Sequence, residues 1–479
     1  MSDRPVLRIC TRGNRAAERR YLFDVVFAEW LGIDYDLEFD DGPNVRVGLV
    51  GDPQGSRITF PDVLFAAREE DWLTLRSLPR RPLSHLVLDP GESLTSGATP
   101  ERQADRSPAA SIPVLYGVTA PGGRAWYATD AGAEFSVDIF GSIFFLLTRY
   151  EEAVLPHRDT NERFDSSASL AVAEGFLGRP LVDDYVEVLW TSLSRLWPTL
   201  ARRPSSFRLR LTHDTDELWA ARRRRAVLGD LIVRHDPSLA ARRLRAICDA
   251  QIGRFDRDPF DTFDLLMDIS ERHGLRSAFY FLAGSKVGDV DFRYDISDRR
   301  VAGVLRRIHE RGHEVGLHGS YLSFRSAASI RFESEALKQA CRAVGFDQPS
   351  WGIRQHYLRF ENPLTWRSQD QAGLDHDSTI GWADQIGFRA GTNREYPVFD
   401  LLERQKLRLR ERPLLIMDVA LLKSVGRDLD DASSRTRALI GQCRRHGGDA
   451  VLLFHTETLG QTHHRLFYRD LVDELTRSS

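Results

Sequence analysis

The sequence predicts an α/β protein with a C-terminal (β/α) barrel, residues 206–479, preceded by a mixed α/β N-terminal domain, residues 1–205. Its 479 residues exceed the length of one ordinary domain, so two are expected. After residue 206, short apolar runs alternate with longer amphipathic stretches, which is typical of a parallel sheet. Several runs end in a titratable residue, and in parallel α/β barrels the catalytic groups gather at the carboxyl ends of the strands. The pattern favours an enzyme, and a barrel over an open sheet.

In the N-terminal domain, apolar residues at helical spacing predict a helix over residues 16–31, and alternation predicts a strand from Tyr35 to Phe39. Residues 89–112 are rich in Pro, Gly, Ser and Thr, which predicts a loop. The stretch from Asp138 to Tyr150 is apolar on several sides, which predicts a buried helix. We place the domain boundary in the segment 202–206. No group of side chains in residues 1–200 requires a catalytic role.

In the C-terminal domain, six strands are predicted, at residues 208–212, 277–282, 314–318, in the 350s, 414–419 and 450–454. Amphipathic stretches between them predict helices at residues 261–274, 298–311, 328–343 and 433–446. Asp214, His318 and His455 follow three of the apolar runs. These three side chains are therefore expected at one end of the sheet.

The composition is that of an ordinary soluble globular protein, with 42% hydrophobic and 28% charged residues. A net charge of −3 means that the chain lacks the excess of positive charge typical of nucleic-acid-binding proteins. No stretch approaches the roughly 18 apolar residues of a membrane span. The first residues lack the apolar region of a secretory signal, and the four cysteines are scattered without metal-binding spacing. A cytoplasmic protein in a reducing compartment is expected.

The first chemistry-bearing motif is Thr212-His213-Asp214-Thr215-Asp216. If it extends the strand, alternation places Asp214 and Asp216 on one face and His213 on the other. Two carboxylates on one face repel each other unless a cation or a proton lies between them, so one can hold a metal while the other acts as a base. The alternative is that Asp216 caps the following helix, which is common for an aspartate after a strand.

The second motif, Gly312-His313-Glu314-Val315-Gly316-Leu317-His318, places His318 at the end of a strand. Alternation turns His318 away from His313, so the two are not expected to chelate one metal. A single histidine at a strand end is either a metal ligand or a hydrogen-bonded structural residue. The flanking glycines favour a site because they allow close approach of backbone or substrate.

Two further motifs supply an arginine and two histidines. In Trp351-Gly352-Ile353-Arg354-Gln355-His356-Tyr357, Arg354 and His356 share a face if the run is extended. A buried arginine usually pairs with a carboxylate, and Asp214 is the candidate partner; the alternative is a surface arginine. In Val451-Leu452-Leu453-Phe454-His455, a buried strand delivers one histidine at its end, which suits a general acid. His463 and His464 are expected to lie in a solvated loop.

Together, in this order, the four motifs resemble those of the NodB-type polysaccharide deacetylases of carbohydrate esterase family four, over residues 207–479. The resemblance implies a (β/α) barrel of the polysaccharide deacetylase type. It also implies that Asp214 is the catalytic base, Asp216 and His318 are metal ligands, Arg354 orients Asp214, and His455 is the acid. The N-terminal half resembles the accessory domain of some bacterial deacetylase-like proteins, through Glu18-Arg19-Arg20-Tyr21-Leu22 and the stretch 144–152.

The sequence departs from the family pattern at two positions. Thr215 separates the two aspartates, which are usually adjacent in the family. Leu322 stands where the second metal histidine is expected, and leucine cannot ligate a metal. Three protein ligands leave the fourth position of a zinc ion open for water, so we expect His356 to complete the set. The alternative is that His356 hydrogen-bonds the substrate or packs in the core.

The resulting expectation is a zinc-dependent deacetylase that removes an N- or O-acetyl group from a carbohydrate in bacterial surface-polysaccharide metabolism. Further candidates for the lining of the site are Glu314, Asp377, Ser378, Asp384 and Arg389. The competing hypothesis is a deacetylase-fold protein that has lost its metal chemistry and binds a glycan or a partner. Leu322 supports it. The presence of Asp214, Asp216, Arg354 and His455 opposes it, because a binding cleft does not need a base, a residue that tethers the base, and an acid.

Overall fold

The computed structural model describes residues 5–86, 111–119, 123–129, 132–220, 226–232, 235–252, 258–284, 291 and 294–477. Nearly all of the expected loop 89–112 lies outside these residues. None of the helices in the described part of the chain is long and apolar enough to cross a membrane.

The first 200 residues form a six-stranded sheet covered by helices. Its strand order is β2-β1-β3-β4-β8-β7, and a short pair, β5-β6, lies outside it. The strands are β1 (Leu7–Arg12), β2 (Tyr35–Asp40), β3 (Asn44–Leu49), β4 (Arg57–Pro61), β5 (Ser84–Leu86), β6 (Ile112–Val114), β7 (Trp126–Thr129) and β8 (Gly132–Phe135). The helices are α1 (Ala16–Phe23), α2 (Ile139–Leu147), α3 (Tyr150–Val154), α4 (Leu170–Ala173) and α5 (Leu181–Leu196).

The helix predicted over residues 16–31 is present, but only its first half is α-helical. After α1 the chain continues as a π-helix, Asp24–Leu31, which ends at Gly32 in the left-handed conformation. The predicted buried helix near residues 138–150 divides into α2 and α3, because Arg149 adopts a positive φ of 51° between them. Asp138 caps α2 by accepting a hydrogen bond from the Gly141 backbone.

The C-terminal part contains a curled nine-stranded sheet of order β14-β15-β13-β12-β11-β10-β9-β17-β16. The strands are β9 (Phe207–Asp214), β10 (Ser277–Leu282), β11 (Glu314–Gly319), β12 (Gly352–Gln355), β13 (His376–Asp377), β14 (Tyr396–Asp400), β15 (Gln405–Glu411), β16 (Leu414–Met417) and β17 (Gly448–Leu453). All described pairs are parallel except β14–β15, which is antiparallel. The expected parallel barrel is thus observed as a curled, mostly parallel sheet with one antiparallel pair.

That antiparallel pair arises where the chain has no room for a crossover helix. Only four residues, 401–404, connect β14 to β15, and such a short connection joins antiparallel strands only. After β15 the chain continues along the sheet: Arg412 N donates to Asp377 O at 2.8 Å and Leu414 N donates to Ile380 O at 3.0 Å. β16 then pairs with β17.

The predicted strands are found within two residues of their expected bounds, but one run changes from strand to helix at its end. The run 414–419 was expected to be a strand throughout, but the strand ends at Met417 and a helix begins at Asp418. β13, β14 and β15 were not predicted, although β15 alternates buried and exposed residues over part of its length.

The C-terminal helices in the described residues include all four that were predicted from amphipathic stretches. They are α6 (Ala226–Ile232), α7 (Pro237–Gln251), α8 (Phe263–Arg272), α9 (Arg299–Glu310), α10 (Ala327–Ala343), α11 (Leu364–Ala372), α12 (Asp418–Val425), α13 (Leu429–His446) and α14 (Thr462–Arg477). His463 and His464 lie in the first turn of α14, so the prediction of a loop there is wrong. The sequence Thr-His-His-Arg following Gly460-Gln461 starts a helix whose apolar side is buried.

One hydrophobic core extends through both parts of the chain. The ring of Phe399, in β14, lies 4.9 Å from that of Tyr21 in α1 and 5.5 Å from that of Phe144 in α2. Tyr21 also donates its hydroxyl to Pro397 O at 2.9 Å. The two parts therefore share apolar packing as well as polar contacts.

Candidate active site

A buried arginine holds the first aspartate at the carboxyl end of β9. Arg354 Nη1 donates to Asp214 Oδ1 at 2.8 Å, and both side chains are almost fully buried. The remaining donors of Arg354 reach Thr212 Oγ1 and Ser378 O and Oγ, each at 3.0 Å. Because the guanidinium is held on all sides, the orientation of the Asp214 carboxylate is determined by the sheet.

Strand register explains how the motifs meet. β10 lies between β9 and β11, with Tyr280 paired to Asp214 and Leu282 paired to His318. On the next strand Arg354 pairs directly with His318. On the other side of β9, Leu453 pairs with Thr212, which brings His455 close to Asp214. The carboxyl ends of four parallel strands thus carry these polar groups to one place.

Asp216, His318 and His356 form a group whose ligand atoms all lie within 4.8 Å of one another. Asp216 Oδ1 is 3.1 Å from His318 Nε2, and Asp216 Oδ2 is 3.3 Å from His356 Nε2. Ligands about 2.0–2.1 Å from a tetrahedral zinc ion are themselves roughly 3.3 Å apart, so the spacing suits such an ion. Asp216 Oδ1 and His318 Nε2 are also buried without a hydrogen-bond partner. The donor set therefore fits a divalent metal.

The second ring nitrogen of His318 and of His356 has a partner that only accepts hydrogen bonds. His318 Nδ1 lies 2.8 Å from Arg354 O, and His356 Nδ1 lies 2.6 Å from Asp291 Oδ1. Each Nδ1 therefore carries a proton, so in the neutral ring Nε2 is the atom that could bind a metal. Asp291 is itself buried, so this contact holds the His356 ring in its orientation.

His356 reaches the group through a backbone turn. β12 ends at Gln355, and the following Tyr357 and Leu358 have positive φ values of 62° and 54°. A positive φ is uncommon in residues with large side chains. The expectation that Arg354 and His356 share a strand face is therefore wrong: His356 lies beyond the strand, in the turn.

His455 lies beside the same group and is held by the carboxylate of Asp418. Its Nδ1 is 2.7 Å from Asp418 Oδ1, and its backbone N donates to Asp418 Oδ2 at 2.9 Å. Its Nε2 is 4.0 Å from Asp216 Oδ2. Asp418 thus orients His455 as Asp291 orients His356.

Mutual charges control the protonation of these groups. Burial alone would raise the pKa of Asp216, but His356 and His318 lower it well below its usual value. Burial alone would lower the pKa of His356, but Asp216 and Asp291 raise it to about 9. The pKa of His455 is likewise raised well above its usual value, since Asp418 and Asp216 outweigh burial. Burial and the charge of Asp216 raise the pKa of Glu457 to about 8.

The group lies in a pocket of about 300 Å³. Its walls are apolar, formed by Leu358, Ala383, Met417, Val419 and the half-exposed ring of Tyr357. Asn161, Arg163 and Lys423 also line it. A concave, largely apolar pocket with a few converging polar groups is the usual form of a small-ligand site.

A turn from the N-terminal part of the chain supplies Asn161 and Arg163. Arg163 Nη1 donates to Tyr357 O at 3.0 Å, and Arg359 Nε donates to Asn161 O at 2.9 Å. The hydroxyl of Tyr321 donates to Asn161 Oδ1 at 3.1 Å. The turn is therefore bound to both segments that carry His318 and His356.

The six residues singled out from the sequence lie together here, and their chemical roles remain predictions. They are Asp214, Asp216, His318, Arg354, His356 and His455. Leu322 is half exposed and lines a neighbouring cavity with Ser323 and Phe332. His213 lies on the opposite side of β9, as alternation predicts, with its Nδ1 2.9 Å from Phe454 O.

Most of the other candidate lining residues contact different partners. Ser378 holds Arg354, but Asp384 accepts a hydrogen bond from Ser166, and Arg389 pairs with Glu152. Asp377 accepts from Thr379, and Glu314 lines a small cavity outside the pocket, beside Arg412.

The sequence reasoning missed Asp291, Asp418 and Asn161. Asp418 follows an apolar run as Asp214 does, which is a usable signal, whereas Asp291 and Asn161 carry none.

Comparison with known proteins gives one family and several solved structures. Residues 7–198 match a family of unknown function (DUF7033), and the residues that carry most of the site lie outside the match. None of the curated proteins matches the chain. A Mycobacterium smegmatis protein provisionally designated a polysaccharide deacetylase is 15% identical, with a TM-score of 0.36, over 57% of this chain and 86% of that one.

Two more structures show similarity of the same order. A CE4 family pseudoenzyme from Bacillus anthracis is 10% identical, with a TM-score of 0.31, over 58% of this chain and 63% of its own. The Xyl-CE4 domain of a multidomain xylanase from the hindgut metagenome of Trinervitermes trinervoides is 14% identical, with a TM-score of 0.30, over 57% of this chain and 85% of that one.

Proposed function

We propose that the chain is a metal-dependent deacetylase that removes an N- or O-acetyl group from a carbohydrate, with a C-terminal domain of the polysaccharide deacetylase (β/α) barrel type. The observation that carries the proposal is the group Asp216, His318 and His356, with Asp214 and His455 beside it in one pocket. Acyl transfer to water requires a set of metal ligands, an oriented carboxylate as a base and an oriented imidazole as an acid.

Asp216, His318 and His356 would hold the divalent ion, and zinc suits a set of one carboxylate and two imidazoles. When bound, such an ion supplies Lewis-acid chemistry, lowering the pKa of water and polarising a carbonyl. Asp291 keeps the proton of His356 on Nδ1, and the Arg354 carbonyl does the same for His318.

Asp214 is the proposed general base. Its Oδ1 is occupied by Arg354, while its Oδ2 lies 3.7 Å from His318 Nε2 and so faces the ligand group. The arginine orients the carboxylate through one oxygen, so the other oxygen remains available to accept a proton from water.

His455 is the proposed general acid. Asp418 holds its Nδ1, which leaves Nε2 at the pocket to protonate the leaving nitrogen or oxygen. The half-exposed ring of Tyr357 offers an apolar face at the same pocket, which suits the apolar face of a sugar ring. These features support a carbohydrate substrate.

The test combines metal content with acetate release from N- and O-acetylated amino-sugar oligomers. We expect the zinc-loaded protein to release acetate. Asp214→Asn should keep the metal and lose on the order of 10²-fold or more in turnover, because an amide cannot accept the proton. Asp216→Ala and His356→Ala should lose the metal, whereas the exposed His463→Ala should behave like the parent protein.

Three outcomes would contradict parts of this assignment. Loss of metal in Asp214→Asn would reverse the roles of the two carboxylates. Unchanged zinc affinity in His356→Ala would remove His356 from the ligand set. A parent protein that binds no divalent ion would remove the metal-dependent reaction altogether.

Leu322 favours a second candidate function, glycan binding without catalysis. Its side chain lines a cavity beside the pocket and offers no ligand. If the parent protein binds no metal but Leu322→His gains both tight zinc binding and activity, a lapsed deacetylase acting as a binding module is the better description.

A further inference from the structure

A turn of the N-terminal part, residues 157–165, reaches the candidate site from outside the C-terminal sheet. Asn161 and Arg163 of this turn are partly buried and line the pocket that also holds the candidate metal ligands. The proposed deacetylation uses neither side chain. Two polar side chains from a distant part of the chain thus lie at the pocket without an assigned role.

Asp159 organises this turn through its carboxylate. Its Oδ1 accepts hydrogen bonds from the backbone N–H groups of Asn161 and Arg163, at 2.8 and 3.0 Å. Its Oδ2 accepts from Arg163 Nε at 2.7 Å and lies 2.6 Å from Arg163 Nη2. Because two nitrogens of the guanidinium contact Asp159, the third nitrogen, Nη1, is directed at the segment that follows β12.

The segment that follows β12 has a backbone that needs external support. Tyr357 and Leu358 both have positive φ, 62° and 54°, a conformation that costs free energy in residues with large side chains. Such a conformation persists only where surrounding contacts hold it. Burial of Leu358 in a small apolar cluster is one such contact. The hydrogen bond from Arg163 Nη1 to Tyr357 O, at 3.0 Å, is another, and it lies one residue beyond His356.

Arg359 connects the turn to the site at a second place. This arginine is almost fully buried and donates from Nε to Asn161 O at 2.9 Å and from Nη1 to Tyr321 O at 2.5 Å. Its guanidinium also lies over the ring of Tyr321, 4.0 Å from the centroid. The turn 157–165 is therefore fixed at once to the segment after β11 and to the segment after β12.

The side-chain amide of Asn161 is held by its oxygen and not by its nitrogen. Tyr321 donates its hydroxyl to Asn161 Oδ1 at 3.1 Å, which orients the amide. Asn161 Nδ2 donates to no residue in the part of the chain that the structure describes. Since Asn161 lines the pocket, its two N–H groups can donate to a hydroxyl or carbonyl oxygen of a ligand there.

We propose that the turn 157–165 is a component of the active site, an inference that rests on the proposed deacetylation for the identity of the substrate. Arg163 is a positioning residue: by holding the carbonyl of Tyr357 it maintains the backbone turn that presents His356 to the other candidate ligands. Asn161 contacts the substrate, donating from Nδ2 to a hydroxyl or acyl oxygen of the acetylated sugar. The N-terminal part of the chain therefore supplies one wall of the active site.

The positioning role is tested in the full chain with Arg163→Ala, and with Thr160→Ala, an exposed residue of the same turn, as the matched control. We expect faster hydrogen exchange of the backbone amides of residues 356–359 in Arg163→Ala, with unchanged exchange in α13, which shows that the fold is retained. Zinc affinity, measured against a competing chelator, should fall on the order of tenfold, the usual effect of removing a residue that supports a metal ligand. Arg163→Lys, which keeps a donor, should recover part of both losses. Thr160→Ala should match the parent protein.

The substrate contact is tested with Asn161→Ala and a tetramer of N-acetylglucosamine. We expect the KM for acetate release, and the Kd of the tetramer for the metal-free protein, to rise about threefold to tenfold, the range for one hydrogen bond between neutral groups. The kcat and the zinc affinity should stay close to those of the parent protein, because Asn161 supports neither the metal ligands nor the reacting atoms. A loss of zinc affinity with an unchanged KM would instead show a purely structural role.

The inference and the proposed function fail in different ways. If Arg163→Ala matches Thr160→Ala in hydrogen exchange and zinc affinity, Arg163 is not a positioning residue, whether or not the parent protein is active. If Asn161→Ala keeps the KM and the Kd of the parent, or if the parent neither binds nor deacetylates the tetramer, the substrate contact of Asn161 is wrong. A parent protein that binds the tetramer but no zinc contradicts the metal-dependent reaction alone, because hydrogen exchange and tetramer binding still report on the turn.

Discussion

At the scale of single residues, the site is organised by carboxylates that stand behind histidines. Asp291 holds His356 and Asp418 holds His455, each at about hydrogen-bond distance from Nδ1, at 2.6 and 2.7 Å. Such partners select the tautomer that presents Nε2 to the pocket. The reactivity of each histidine therefore depends on a residue that does not itself touch the substrate.

Asp418→Asn is expected to lower deacetylation by about tenfold to a hundredfold, the usual effect of removing an orienting partner. Burial alone would lower the pKa of His455, and Asp418 is the first of the charges that raise it instead. Without that charge the pKa of His455 falls, so the acid loses its proton at lower pH. The alkaline limb of the pH–rate profile should therefore move to lower pH.

The measurement is turnover as a function of pH, with Asp430→Asn, an exposed aspartate in the first turn of α13, as the control. An alkaline limb that keeps its position in Asp418→Asn would contradict the role of His455 as the acid held by Asp418.

At the scale of the element, the two faces of β9 separate the candidate site from the core. Asp214 points to Arg354 and the pocket, whereas the neighbouring His213 contacts Phe454 O at 2.9 Å and Ser277 Oγ at 3.2 Å on the other side. The ring of His213 also packs 5.0 Å from that of Phe279. Alternation along one strand thus places one residue in the site and its neighbour in the core.

Burial lowers the pKa of His213 to about 4, so the folded protein holds this ring neutral. The unfolded chain binds a proton near pH 6.5, so stability is lost as the pH falls from about 6.5 towards 4. This residue should make the unfolding free energy about 2 kcal/mol smaller at pH 5 than at pH 7.

Denaturant unfolding of the parent protein and of His213→Gln at both pH values measures this contribution. The variant cannot titrate at this position, so its stability should fall by about 2 kcal/mol less between pH 7 and pH 5 than that of the parent. An identical pH dependence in the two proteins would show that His213 is not kept neutral by burial.

At the scale of the whole molecule, buried ion pairs join the first 200 residues to the rest. Arg389 donates to both carboxylate oxygens of Glu152, at 2.9 and 2.7 Å, and Arg149 donates to the same carboxylate at 2.9 Å. Asn362 adds hydrogen bonds to the carbonyls of Thr148 and Arg149. The stretch around residues 144–152, singled out from the sequence, is thus part of the contact between the two parts.

Glu152→Gln is expected to destabilise the protein by about 3–5 kcal/mol, because two buried guanidinium groups lose their shared carboxylate. The pKa of Glu152 is held at about 2 by Arg389 and Arg149 although burial opposes this, so the charge is present at neutral pH. Denaturant unfolding measures the loss. Glu70→Gln, in an exposed pair with Arg68, is the control and should change little. A similarly small effect of Glu152→Gln would show that the contact does not support the fold.

Local pattern alone determined the strands that carry the site and the residues at their ends. Apolar runs, alternation and a polar residue after each run are properties of neighbouring positions, so Asp214, His318, Arg354 and His455 were readable from the sequence. The amphipathic helices between the strands were readable for the same reason. The antiparallel pair β14–β15 was missed because β14 is buried throughout and shows no alternation, whereas β15 alternates only in part.

Only the tertiary structure decided which distant residues complete the site. Asp291 and Asn161 lie outside the helices and strands, in segments whose course depends on packing, and Asp418 meets His455 only because β16 and β17 pair. His356 was selected from the sequence by a strand argument, yet its position depends on the turn at Tyr357 and Leu358 with positive φ. Periodicity records which side of an element is buried, whereas contacts between residues far apart in the chain arise only when the whole core assembles.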